Sequence, residues 1–225
     1  MISLVIPTYN EAENIKKLIP QVSRILKKDY EIVIVDDDSP DKTWKIAQGM
    51  KRYNVRVIRR VKERGLATAV IRGFKEARGD IITVMDADMS HPPKVLAKMA
   101  SAIKNNDIVI ASRYVKGGGL DMSRRRKNFS KIATLLARPL TSVKDPMTGF
   151  FCFRKEVIKD AGLKPIGFKI LLDVLVKGRY KKVKEVPFYF TKRFSGESKL
   201  GSRVIFDYIR HLTKLYAYKL FYRKR

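Results

Sequence analysis

The stretch Asp80-Ile-Ile-Thr-Val-Met-Asp-Ala-Asp88 runs from a β-branched apolar segment straight into two carboxylates one residue apart. Residues 80–85 read as a buried strand. Asp86 and Asp88 repel each other at its end, which requires a positive group between them. Outward from this stretch, apolar runs at 2–6, 31–35, 55–58 and 107–111 read as further strands. Helical spacing fills 13–26, 43–53, 67–77 and 93–104 between them. Such alternation implies βαβ units, an α/β fold with a mostly parallel sheet and helices on both faces. In these sheets ligands bind beyond the carboxyl ends of the strands. Three polar clusters fall there: Pro7-Thr-Tyr-Asn-Glu11, Asp36-Asp-Asp-Ser-Pro-Asp41 and Asp86-Ala-Asp88.

The 225 residues suffice for a substantial core, and 45% apolar content argues against disorder. Lys and Arg number 49 against 22 Asp and Glu, leaving a net charge of +27. Such a field attracts nucleic acid, an anionic membrane surface or phosphorylated substrates. The single cysteine, Cys152, excludes an internal disulfide framework and fits a reducing compartment. The opening residues have no basic n-region and their apolar run stops at Pro7, unlike a signal peptide. No uninterrupted apolar run reaches the length that spans a bilayer. After Ser112 the pattern loosens. Gly117-Gly-Gly119 reads as a mobile connection, 123–137 as a basic helix and Asp145-Pro-Met-Thr-Gly149 as a turn. A strand at 150–153, a helix at 169–176, an extended segment at 183–190 and a basic loop at 192–201 follow. Residues 202–225 read as one amphipathic helix appended to a domain at 1–201.

Side chains flanking Ala87 point the same way in extended backbone. Two carboxylates there suit Mg²⁺ or Mn²⁺, with Ser90 as a third oxygen. The competing reading is an acidic turn favoured by a helix dipole. Acidic clusters at two other strand ends favour the metal. His91 reads as a turn residue before Pro92-Pro93. In Asp36-Asp-Asp38, one carboxylate suits a nucleobase edge while its neighbours cap the next helix. Asp36, Asp37 and Asp86 also suit a phosphoacceptor receiver module, a signalling class that gives Asp88 no role. Ser123-Arg-Arg-Arg-Lys127, Lys192-Arg193 and Lys199 suit a solvated face, nucleic acid, or a phosphate-bearing substrate held by Arg forks. Without a zinc signature or aromatic RNP-like strand, nucleic acid is not the expected partner. No G-x-G-x-x-G or Walker motif follows a strand, which excludes dinucleotide and P-loop readings.

Further segments narrow the class. Ile6-Pro-Thr-Tyr-Asn-Glu11, Val35-Asp-Asp-Asp-Ser-Pro-Asp41, Arg64-Gly-Leu-Ala67, Met85-Asp-Ala-Asp88 and Ala111-Ser-Arg-Tyr114 occur in that order. Asp145-Pro-Met-Thr-Gly-Phe-Phe151 and Arg193-Phe-Ser-Gly-Glu-Ser-Lys199 follow. Together they resemble the polyprenol-phosphate mannosyltransferases (the dolichol-phosphate mannose synthases) within the family 2 inverting GT-A glycosyltransferases. The likeness covers residues 1 to about 200. It implies a Rossmann-like GT-A fold and metal-dependent, inverting transfer of mannose from GDP-mannose to dolichyl or another polyprenyl phosphate. Pro7, Tyr9, Glu11, Val35 and Asp37 would hold the guanosine. Asp86, Ala87 and Asp88 would surround the diphosphate, with Asp88 and Ser90 on the Mg²⁺ or Mn²⁺. Arg113, Arg193 and Lys199 would contact the diphosphate or the acceptor phosphate, and Arg126 with Ser130 would receive the lipid phosphate. Asp88, Arg113 and Arg193 are thus the catalytic candidates. The hexose contacts are diffuse, so UDP-glucose stays open as donor. The family's longer members continue into transmembrane helices, so a membrane subunit or transmembrane extension outside this chain is an allowed partner.

The terminal helix fits a place on the cytoplasmic face of an anionic membrane. Val204, Ile205, Tyr208, Ile209, Leu212, Leu215, Tyr216 and Leu220 form an apolar stripe. Arg203, Arg210, Lys214, Arg223, Lys224 and Arg225 surround it with positive charge, as in helices of the headgroup region.

Overall fold

Seven strands join in one sheet in the computed structural model, which describes residues 1–121, 124–167, 169–191 and 202–221, without the side chains of 124–126, 202 and 203. In chain order they are β1 (Ile2–Thr8), β2 (Tyr30–Asp36), β3 (Val55–Arg59), β4 (Ile81–Val84), β5 (Ile108–Ser112), β7 (Phe151–Arg154) and β8 (Val183–Pro187). Between β5 and β7 lies the short β6 (Gly119–Leu120), which pairs with β9 (Tyr189–Phe190) in a separate ribbon. Helices α1 (Ala12–Leu26), α2 (Thr43–Gln48), α3 (Leu66–Glu76), α4 (Val95–Ala102), α5 (Arg124–Ala137), α6 (Ile170–Lys177) and α7 (Ser202–Phe221) complete the chain.

The sheet order is β3-β2-β1-β4-β7-β5-β8. Every pairing is parallel except those of β7, which inserts antiparallel between β4 and β5. Alternation along β1 and β2 sends Leu4, Ile6, Ile32 and Ile34 to one core, with Ile15, Leu18, Ile19 and Val22 of α1. Val5, Val33 and Val35 face the other core, with Val70 and Phe74 of α3. Covered on both faces, the centres of these strands are apolar on either side, at residues 4–6 and 32–35, which is why they read as continuous runs. Gly73 lets α3 cross β1 closely, since a Cβ there would lie 2.2 Å from Val5 Cγ1. Cys152 is buried in β7, and burial pushes its thiol up to about 12, leaving it inert.

Several elements depart from the sequence reading. The helix expected over 43–53 stops at Gln48 before Gly49, and a 3₁₀ turn covers Lys51–Tyr53. The extended segment 183–190 breaks at the buried Phe188 into β8 and β9. Pairing of β9 with β6 makes Gly117-Gly-Gly119 a hydrogen-bonded turn in place of a mobile connection. Gly118 N–H donates to Val115 O at 2.9 Å, and Gly119 N–H to Phe188 O at 3.1 Å. A Cβ on Gly118 would lie 2.6 Å from Ser112 O, so only glycine lets the turn fold back this closely.

The stripe on α7 divides into two faces. Tyr208, Leu212 and Leu215 are buried against Ala133 and Ala137 of α5 and Leu172 and Val176 of α6. His211, also buried, lies with Nε2 3.1 Å from Asp173 Oδ1 on α6. Ile205, Phe206, Ile209, Leu220 and Phe221 face outward. The helix therefore docks on the domain with one face and presents a second apolar face. Residues 222–225, with Arg223, Lys224 and Arg225, and the Arg203 side chain lie outside the described residues. Among the described residues no helix is long and apolar enough to cross a membrane.

Candidate active site

Thr8, Asp36 and Arg59 stand in register where β1, β2 and β3 end. Asp36 is fully buried, and its carboxylate accepts from Thr8 Oγ1 and Ser39 Oγ at 2.7 Å and from Ser39 N–H at 2.8 Å. Asp41 accepts from Thr43 N–H at 2.9 Å and from Ala12 N–H at 3.0 Å. Those two carboxylates sew the loops after β1 and β2 together. Asp37 takes Arg60 Nε on Oδ1 at 2.7 Å, with Arg60 Nη2 on the same oxygen, and Gly65 N–H on Oδ2 at 2.7 Å. Arg60 is 2% exposed in its side chain, so this pair locks the 60–65 segment onto the end of β2. Asp38 is more open, and its carboxylate pairs with Arg59, which stacks 3.9 Å over Trp44.

Of the residues expected around guanosine, Pro7 and Val35 are register partners in buried strands. Tyr9 is half-buried beneath the Arg64 guanidinium, 5.4 Å from the ring centroid. Glu11 pairs with Asn14 Nδ2, and its backbone N–H donates to Thr43 Oγ1 at 2.9 Å. These residues and Asp37 occupy neighbouring strand ends, so the sheet gathers the set that the sequence distributes over 31 positions.

β4 stops at Val84, and 87–89 bend with Met89 at φ 63°. The pair is therefore not presented by extended backbone, as the sequence suggested, and the carboxylates differ. Asp86 is 35% exposed in its side chain, whereas Asp88 is buried. Asp88 Oδ1 accepts from Ser90 Oγ at 2.5 Å and from Ser90 N–H at 3.0 Å. Ser90 is fully buried and aims this carboxylate. Gly149 lies against Asp86, where a Cβ would sit 3.4 Å from both carboxylate oxygens. Among the described residues no group of three His, Cys, Asp or Glu side chains converges. Two carboxylates with a serine oxygen nearby nonetheless fit a hard divalent cation that completes its shell with phosphate oxygens and water.

His91 is more than a turn residue. It is 2% exposed in its side chain, stacks on Phe150 at 5.0 Å and meets Phe188 and Phe190 edge-on. Asp86 N–H donates to its Nδ1 at 3.1 Å. Burial lowers its pKa despite the nearby carboxylates, so the ring is neutral and supports Asp86 from below.

Arg113 follows β5 and forks onto Asp145. Nε donates to Oδ2 and Nη2 to Oδ1, both at 2.7 Å, while the Arg113 backbone N–H reaches Oδ2 at 2.9 Å. Burial opposes the Arg113 charge, and Asp145 outweighs it, raising the guanidinium pKa. Lys169, just before α6, carries no motif and sequence reading missed it. Burial and the Arg113 charge lower its pKa to about 8 against the opposing pull of Asp145 and Asp86. Arg113, Asp145 and Asp86 are thus close enough to Lys169 for their charges to act on it. Ser130 on α5 accepts from Tyr114 OH at 2.8 Å. Arg126 has its backbone in the first turn of α5, but its side chain lies outside the described residues, as do Arg193 and Lys199 entirely.

The profile of glycosyl transferase family 2 matches residues 3–162. A dolichol-phosphate mannosyltransferase of Pyrococcus furiosus is 53% identical over 95% of this chain, which spans 63% of that protein's length. The Saccharomyces cerevisiae protein of the same name is 37% identical over 96% of this chain and 87% of its own. That of Mycosarcoma maydis is 39% identical over 96% and 79%. Among solved structures, glucosyl-3-phosphoglycerate synthase from Mycobacterium tuberculosis with Mg²⁺ and UDP superposes with a TM-score of 0.72, at 18% identity over 96% of this chain and 79% of that one. Its complex with Mn²⁺, UDP and glucosyl-3-phosphoglycerate gives 0.70 at 17% identity, over 96% and 78%. At that identity the likeness speaks for the fold alone. The family match leaves no place for the receiver reading. The chain belongs to glycosyl transferase family 2, with dolichol-phosphate mannosyltransferases among its relatives.

Proposed function

We propose that the chain transfers mannose, with inversion, from GDP-mannose to the phosphate of a dolichyl or related polyprenyl lipid at a membrane surface. One observation carries this reading: the Asp86 and Asp88 carboxylates lie at the same end of the sheet as the cationic Arg113 and Lys169. A site that takes a diphosphate and a second phosphate needs both signs of charge. The named relatives support mannose as the sugar and dolichol phosphate as the acceptor.

Asp86 and Asp88 would hold Mg²⁺ or Mn²⁺, with Ser90 fixing the orientation of Asp88. Bound there, the cation would neutralise the departing diphosphate. The acceptor phosphate has a second pKa of about 6, so it arrives deprotonated and requires no general base. One of its oxygens attacks the sugar's anomeric carbon as the bond to the diphosphate breaks, releasing GDP. The obstacle is repulsion between two anions. Arg113, held rigid by Asp145, and Lys169 reduce it, with Arg126, Ser130, Arg193 and Lys199 as further phosphate partners. Pro7, Tyr9, Glu11, Val35 and Asp37 form the nucleoside end, where Asp37 keeps a lone pair on Oδ2 beyond its bond from Gly65. The outer face of α7, with Arg210 and Lys214 exposed, supports peripheral contact with an anionic bilayer.

Calorimetry with GDP and UDP tests the nucleoside assignment. GDP is expected to bind at least tenfold more tightly, a difference of about 1.4 kcal/mol. Equal affinities would return UDP-glucose to consideration.

A further inference from the structure

Beside the acceptor region, α5 builds a second basic pocket. Lys131, Thr134 and Leu135 stand at spacings of three and one near the end of α5, and Arg138 follows in the turn just past it. With Tyr114 and Lys144 they line a groove of about 240 Å³. Among the described residues three cations and no carboxylate line it. Thr134 is 7% exposed, and its hydroxyl has no hydrogen-bond partner among the described residues. Folded proteins rarely leave a buried hydroxyl unpaired, and an anion in the groove would supply the acceptor. Tyr114 donates its OH to Ser130, so the groove shares a wall with the residue proposed for the acceptor phosphate. Lys144 is anchored through its backbone N–H on Glu185 Oε2 at 2.9 Å, while its side chain is exposed.

Leu135 gives the groove an apolar edge and is exposed by 68%, and further round α5 Ile132 and Leu136 extend the exposed apolar surface at 58% and 48%. Inorganic phosphate would gain nothing from such an edge, whereas a lipid would cover it with its acyl chains. We infer that this groove binds the phosphate group of an anionic membrane lipid, at a site separate from that of the acceptor. Thr134 donates to a phosphate oxygen, Lys131, Arg138 and Lys144 supply the charge, and Leu135 enters the acyl region. Occupancy holds the Tyr114 wall, and with it Ser130, in place. The inference does not depend on the sugar or the cation.

Co-sedimentation of the full chain with phosphatidylcholine vesicles tests it. One set contains phosphatidic acid and the other oleic acid, matched in surface potential. The chain is expected to favour phosphatidic acid roughly fivefold, the size of one net hydrogen bond. Thr134→Val and Lys144→Gln should each abolish that preference with unchanged circular dichroism, while Lys98→Gln on α4 should keep it. Equal binding to both vesicle types, or a preference that survives both variants, overturns the site. Calorimetry with inorganic phosphate separates the sources: binding as tight as that to phosphatidic acid vesicles would make this a free-phosphate site and overturn the lipid assignment.

Discussion

Asp145→Ala probes the structural lock on Arg113, behind the side of the site proposed to face phosphate. Asp145 is fully buried and accepts three hydrogen bonds from Arg113, which is 9% exposed. The substitution strands a buried guanidinium, and breaking one side of such a pair costs about 3–5 kcal/mol. For a domain of this size, each kcal/mol lowers the melting temperature by roughly 2–4 °C, so a fall of about 6–20 °C is expected. Urea and thermal unfolding, followed by circular dichroism and by the single tryptophan, Trp44, measure it. The double variant Arg113→Met/Asp145→Leu removes both charges and should recover most of the stability, because paired removal avoids the stranded charge. It should not recover transfer. Asp145→Ala within about 1 kcal/mol of the parent would show that the fork is not a lock, and the reasoning about Arg113 would fail.

Asp88→Ala should abolish transfer and Mn²⁺ binding by electron paramagnetic resonance in the presence of GDP, while retaining the fold; bound Mn²⁺ in the variant would remove Asp88 from the cation. Arg126→Ala should raise the acceptor KM and spare GDP affinity in calorimetry; equal loss of GDP affinity would move Arg126 to the donor end. Lys169 has a folded pKa of about 8, below its unfolded value, so between these limits the unfolded chain holds the extra proton and stability rises with pH. Binding of GDP raises that pKa, so calorimetry at pH 8.5 in buffers of different ionisation enthalpy should show proton uptake, absent in Lys169→Met. A chain ending at Gly201 should float less well than the full chain on anionic vesicles, since each basic residue contributes about 1 kcal/mol near the surface. Equal flotation would exclude α7 as the membrane contact.

The strands β1, β2 and β5 are legible in the sequence because burial on both faces leaves nearly continuous apolar runs, and the half-buried edge strand β3 because Val55, Val57 and Ile58 are β-branched. The clusters after β1, β2 and β4 are legible for a related reason: polar residues that end such runs must face the open edge of the sheet. The strand expected at 150–153 is present as β7, but its antiparallel insertion between β4 and β5 is not legible, since a short apolar run says nothing about which neighbours it joins. Nor is the Arg113–Asp145 fork, whose members lie 32 residues apart. Lys169 stands alone between two apolar residues and acquires its depressed pKa only from groups that folding brings near. On α7 the inward Leu212 and outward Ile209 are equally apolar, so periodicity alone merges two faces into one.

Transfer itself tests the account most directly. The full chain is incubated with polyprenyl phosphate and either GDP-[¹⁴C]mannose or UDP-[¹⁴C]glucose, with Mn²⁺ or with chelator, and label is counted in the organic extract. Extractable label is expected from GDP-mannose with Mn²⁺, with a loss of at least about 100-fold under chelator and none above background from UDP-glucose. Label from UDP-glucose in preference to GDP-mannose, or transfer undiminished by chelator, would contradict it.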